Sequence, residues 1–129
     1  MMWNSLNPQG VSEGRIVATL VNPSIVLITI RDTFSSLDLN QLPVLFRDLM
    51  EKGFRRYVID LSRARLLNSH EIGAIVQHSH LLANQGGLIL VNPSERIRYM
   101  LELSCATPLA PYADSVEQAV ALLKEMEPV

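Results

Sequence analysis

Apolar residues along this chain follow two spacings in turn. Ile16-Val17-Ala18-Thr19-Leu20-Val21 and Ile25-Val26-Leu27-Ile28-Thr29-Ile30 are short runs rich in β-branched residues, separated by Asn22-Pro23-Ser24. Those three are turn formers, so Arg15–Val21 and Ile25–Arg31 are predicted to pair as an antiparallel hairpin. The spacing then becomes helical. Leu37, Leu42, Leu45, Phe46 and Leu49 share one face, and Gly53 stands where that helix should end. Pro43 falls early in it, where a missing N–H costs least. A buried strand is expected over Arg56–Asp60, and Leu88-Ile89-Leu90-Val91 reads as a second strand covered on both faces. Between them Ile72, Ile75, Val76, Ser79, Leu82 and Ala83 recur at helical spacing, with Gly86-Gly87 supplying a left-handed end. A third helix is expected from about Ser94 to Leu103, with Ile97, Met100, Leu101 and Leu103 inward. A short strand near Leu109–Tyr112 and a last helix from Ser115, striped by Val116, Ala119, Val120 and Leu123, complete the chain. The order β-β-α-β-α-β-α-β-α predicts an α/β fold: a β-hairpin leading into a mixed, mostly parallel sheet with right-handed crossovers and about four helices. Residues 1–13 read as a loose lead-in and 14–126 as one domain.

The helix that follows Arg56–Asp60 carries the chemistry. Asn68 is a strong N-cap, and Glu71, three residues on, completes a capping box. Ser69 then sits where backbone N–H groups point outward and the helix dipole favours negative charge, a good place for a phosphate. A serine there can also be no more than part of a helix start, and the residues alone leave both readings open.

The stretch Leu66-Leu67-Asn68-Ser69-His70-Glu71-Ile72-Gly73 resembles the motif of STAS domains, the fold of bacterial anti-sigma factor antagonists. That family carries apolar-apolar-Asp-Ser-Ser/Thr-Gly-Leu-Gly at this place, between a strand and an amphipathic helix. Ser69, Ile72 and Gly73 match; Asn68, His70 and Glu71 depart from it. Asn92-Pro93-Ser94 and Tyr112 to Ala119 are similar to the family's later elements, so the resemblance spans nearly the whole chain. It implies a non-enzymatic switch. The unphosphorylated protein binds an anti-sigma factor with serine kinase activity, phosphorylation of Ser69 breaks that complex, and a phosphatase restores it. It also implies a partner surface of Asn68, Ser69, His70 and Glu71, with Ser35, Ser36 and Arg65 at its edge. The departures imply an alternative: a STAS module that is never phosphorylated, serving as a scaffold in a signalling complex or as a subunit of a lipid-type ABC transporter. The sequence gives Glu71 an opposing role as well. A carboxylate about 6 Å from a phosphate, at an effective dielectric near 20, costs about 3 kcal/mol per unit charge.

Composition narrows the function. With 48% hydrophobic and 19% charged residues, the 129-residue chain has the makings of one ordered core. A net charge of −2 argues against nucleic acid as partner, although Arg55, Arg56, Arg63 and Arg65 cluster ahead of Ser69. Cys105 is the only cysteine, which excludes an internal disulfide. Met1-Met2-Trp3-Asn4 lacks the pattern of a signal peptide, and Asn22-Pro23-Ser24 splits the longest apolar run, so a cytoplasmic protein without membrane insertion is expected. His70, His78 and His80 crowd one helix without CxxC or HExxH, so no metal or other cofactor is expected. Ser69 lacks the small neighbours of a nucleophile elbow, and no catalytic residue is assigned.

Overall fold

The computed structural model describes residues 14–32, 39–105 and 109–126. In chain order these form β1 (Ile16–Asn22), β2 (Ile25–Arg31), α1 (Gln41–Glu51), β3 (Arg56–Arg63), α2 (Ser69–Leu82), β4 (Gly87–Val91), α3 (Glu95–Leu103), β5 (Tyr112–Ala113) and α4 (Val116–Glu125). The five strands lie side by side in sequence order. β1 is antiparallel to β2, and every later pair is parallel. The hairpin, the mostly parallel sheet and the four helices match the sequence expectation.

Strand order explains the layering. Each right-handed crossover moves one strand further in the same direction, so α1, α2 and α3 fall on one sheet face. Against that face pack Val26, Ile28 and Ile30 of β2, Tyr57, Ile59 and Leu61 of β3, and Leu88 and Leu90 of β4. The alternate residues Ile25, Val58, Ile89 and Val91 point the other way, where α4 covers them with Ala119 and Leu123. Central strands buried on both sides need continuous apolar sequence, and Leu88-Ile89-Leu90-Val91 supplies it. Fully burying one such side chain contributes about 1.5–3 kcal/mol.

Boundaries and faces differ from expectation in places. β3 continues to Arg63, because Arg31 of β2 still pairs with it there. The last strand is Tyr112–Ala113, beside Leu90 and Val91. Leu103 is 69% exposed rather than inward, and Ala83 is exposed also. Leu37 lies outside the described residues. Gly53 ends the first helix at φ 95° as expected. Gly86 does not end the second, which stops at Leu82 with Ala83 still in right-handed helical geometry. Its requirement is space: a Cβ at Gly86 would lie 1.9 Å from the Arg55 carbonyl oxygen, which accepts the Gly87 N–H at 2.9 Å.

Two glycines should therefore respond oppositely to alanine. Gly86→Ala collides with backbone and should lower unfolding free energy by more than about 2 kcal/mol. Gly73 lies mid-helix on an exposed surface with nothing within 4 Å of an added Cβ. Gly73→Ala should raise stability by roughly 0.5–1 kcal/mol. Urea unfolding of both variants checks the pair.

Candidate functional site

The C-terminal edge of the parallel strands is where the chain leaves β3 and enters α2. Ala64 and Leu67 anchor this connection in the core, while Arg65 and Leu66 face outward. Arg65 N–H donates to both carboxylate oxygens of Asp32, at 3.0 and 3.1 Å, which ties the loop to the end of β2. Its guanidinium, 92% exposed, lies 3.5 Å from the same carboxylate.

α2 begins with the capping box. Asn68 is extended (φ −82°, ψ 170°), and its Oδ1 accepts the Glu71 N–H at 2.8 Å. Glu71 Oε1 accepts the Asn68 N–H at 2.9 Å in return. Helix geometry leaves the first N–H groups without acceptors one turn back, and the box satisfies two of them, those of Asn68 and Glu71. Those of Ser69 and His70 begin the helix beside it, and both residues are exposed.

The box is closed from the far end of the chain. Arg15, just before β1, donates through Nε to Glu71 Oε2 at 2.7 Å and through Nη2 to Oε1 at 3.0 Å. Nη2 also reaches the Leu66 carbonyl at 2.6 Å, and Nη1 the Arg31 carbonyl at 3.0 Å. Asp32 stands 3.7 Å away. This bidentate pair is the strong kind of charge-assisted hydrogen bond. Its environment shows in Arg15, whose pKa is raised first by the hydrogen bond to Glu71, against a lowering by burial.

Glu71 is consequently 2% exposed. This corrects the expectation that its charge confronts an anion on Ser69: the carboxylate is inward and its charge is paired with Arg15. Glu71→Gly would remove a cap and half of a buried ion pair, not a repulsive surface charge. Asn68 is half-buried, Ser69, His70 and Arg65 are exposed, and Glu71 reaches a partner only through the backbone it fixes. Ser35 and Ser36 lie outside the described residues.

The three histidines serve different ends. His70 is exposed beside Ser69. His78 is buried, stacked on Phe46 of α1 with ring centroids 4.0 Å apart and planes 9° apart. Its Nδ1 is 2.8 Å from the Ala74 carbonyl, which only accepts, so Nδ1 carries the proton. His80 approaches the Cys105 sulfur at 3.3 Å. Among the described residues no group of three or more His, Cys, Asp or Glu side chains is placed to hold a metal. No described helix is long and apolar enough to cross a membrane.

The same architecture is found in solved structures of known regulators. The anti-sigma factor antagonist SpoIIAA, in its unphosphorylated form, matches with a TM-score of 0.71 at 18% identity, over 88% of this chain and 99% of that one. A serine-to-glutamate variant of RsbS from Moorella thermoacetica matches at 0.69 and 16% identity, over 88% and 97%. TM1081 of Thermotoga maritima, described as a candidate anti-sigma factor antagonist, matches at 0.69 and 18% identity, over 84% and 94%. The chain has the STAS fold. No protein-family model matches the sequence, and no curated relative matches it significantly.

Two measurements check the chemistry of this site. Glu71→Gln retains shape and a capping oxygen but strips the charge from the buried pair. Unfolding free energy should fall by about 2–3 kcal/mol, since breaking one partner of such a pair strands the other. A loss within experimental error would mean that the pair is energetically idle.

Burial lowers the pKa of His78 from its usual 6.5, against a smaller raising effect of the Ala74 carbonyl. Between the lowered folded value and the unfolded value near 6.5, the unfolded chain binds more protons, so stability is lost as pH falls through that window. His78→Phe should flatten this acid-side slope of melting temperature while leaving the slopes above pH 7 unchanged.

Proposed function

We propose that the protein is a non-enzymatic regulatory switch of the anti-sigma factor antagonist kind, acting in the cytoplasm by partner switching. In this reading its partner is an anti-sigma factor with serine kinase activity. Ser69 is the phosphoacceptor, and a phosphatase reverses the modification. The partner surface is Asn68, Ser69 and His70, with Arg65 at the edge and Glu71 supporting it from below.

The observation that carries this reading is the exposure of Ser69 at the first residue of α2, with the neighbouring carboxylate turned inward and paired. A phosphate on that hydroxyl would add about −1.5 to −2 charges to an exposed helix start. The helix dipole would favour it by up to about 1–2 kcal/mol. No unfolding is required, since Ser69 is already exposed while the Glu71 carboxylate and its Arg15 contacts are turned inward. The fold shared with SpoIIAA and RsbS supports the same role. The STAS motif's glycine at position 71 is met here by a glutamate that does not protrude, so the departure does not obstruct a partner.

Incubation with its serine kinase partner and ATP should place one phosphate on each chain at Ser69, and Ser69→Ala should abolish it. Ser69→Asp should weaken the complex about tenfold or more, or at least about 1.4 kcal/mol. Labelling at another residue, or Ser69→Asp binding as tightly as wild type, would contradict the assignment. Absence of label with binding intact would favour a permanently unphosphorylated scaffold.

A further inference from the structure

Two leucines stand side by side ahead of Ser69, and the core uses only one of them. Leu67 is 5% exposed, whereas Leu66 is 47% exposed on the loop between β3 and α2. That loop is tied down on both sides of Leu66. The Arg65 N–H donates to the Asp32 carboxylate at 3.0 Å, the Leu66 carbonyl accepts Arg15 Nη2 at 2.6 Å, and the Asn68 N–H donates to Glu71 Oε1 at 2.9 Å. Every one of those partners lies outside the loop, and Leu67 is seated in the core between them.

An exposed leucine is ordinary on a protein surface. Leu81 and Leu103 are two more, at 42% and 69%, and they stand near the C-terminal ends of α2 and α3, away from the edge that carries Ser69. Leu66 differs in place and in rigidity. Three residues separate it from Ser69, a span of at most about 11 Å. A specific interface covers about 800 Å² on each partner, so a partner seated on Ser69 also reaches Leu66. A side chain on an already fixed backbone loses less freedom on binding than one on a segment that must be ordered. Around Leu66 the exposed side chains of Arg65, Ser69 and His70 are polar, which is the pattern of an aliphatic anchor inside a polar rim.

We propose that Leu66 is the apolar anchor of the partner contact, entering a nonpolar pocket on the serine kinase partner while the neighbouring Ser69 is held at its edge. The proposal rests on the reading of Ser69 as the phosphoacceptor, and it adds a reason for the switch. A partner that buries Leu66 excludes water from the surface around it, and a phosphate on Ser69 would lose hydration there without gaining a counter-charge.

The test measures binding of the purified kinase partner to the full chain, with steady-state phosphorylation of Ser69 as a second readout. Leu66→Ala and the polar, similarly sized Leu66→Asn, each confirmed folded by its melting curve, should weaken binding about tenfold, mainly through faster dissociation. Both should raise KM for phosphorylation by a similar factor with kcat unchanged, the mark of binding lost equally in ground and transition states. Leu66→Met should stay within about threefold of wild type, because length and apolar character are kept. Leu103→Ala removes a more exposed leucine at the other edge and should change nothing. The anchor is overturned, with the switch reading intact, if wild type is labelled at Ser69 and the Ala and Asn variants bind and react as wild type does. It is overturned also if Leu103→Ala weakens binding as much as Leu66→Ala. Wild type that is neither bound nor labelled overturns both the anchor and the switch.

Discussion

Arg15 and Glu71 are 56 residues apart, and the start of α2 depends on their meeting. An isolated capping box orders one turn of helix. Here its glutamate is also gripped in bidentate fashion by a guanidinium that holds the carbonyls at the ends of β2 and of the β3–α2 loop. The consequence is mechanical as well as electrostatic. The first residues of α2 are pinned to the hairpin, and a carboxylate that would otherwise stand at the helix N-terminus is neutralised and hidden. Ser69 is left as a surface group on a fixed support.

The sheet makes that meeting possible. Because the crossovers all advance in one direction, the C-terminal edge of the parallel strands collects the end of β2 and the beginning of α2. The antiparallel pairing of β1 returns Arg15 to the same edge, where the Arg31 N–H donates to its carbonyl at 2.8 Å. A slip of β1 by one residue would turn its whole face over and carry Arg15 away from Glu71. The register Ile16↔Ile30, with Ile16, Ala18, Ile28 and Ile30 buried, holds it in place. Core packing thereby positions the ion pair, and the ion pair positions the helix start.

Most of the fold was legible in the sequence, because apolar spacing reports directly on local geometry. The hairpin, the strands on either side of α2, the cap at Asn68 and its box with Glu71 all follow from residues close together in the chain. What was not legible depended on long-range contact or on polar residues inside. Stepping from Ile75 and Leu82 by three and four places lands on Glu71, His78 and Ser79, which form the buried face of α2. A spacing rule applied to apolar residues alone passes over Glu71 and His78, and it gave Ala83 too much weight. Nothing local announces that Arg15, at the head of an apolar strand, would partner Glu71. What local sequence misses at Glu71 is therefore its partner: the carboxylate is inward and paired with Arg15.

The central claim is that Ser69 acts by surface charge on a helix start that does not move. Amide hydrogen exchange of Glu71 and Ile72, measured in wild type and in Ser69→Asp, tests it most directly. Both N–H groups are bonded to Asn68, at 2.8 and 3.0 Å, and report on the box itself. The expected result is protection unchanged within about twofold while partner affinity falls, as for a charge added to a rigid surface. Exchange accelerated by orders of magnitude in Ser69→Asp would show that the negative charge melts the first turn, and would contradict the account.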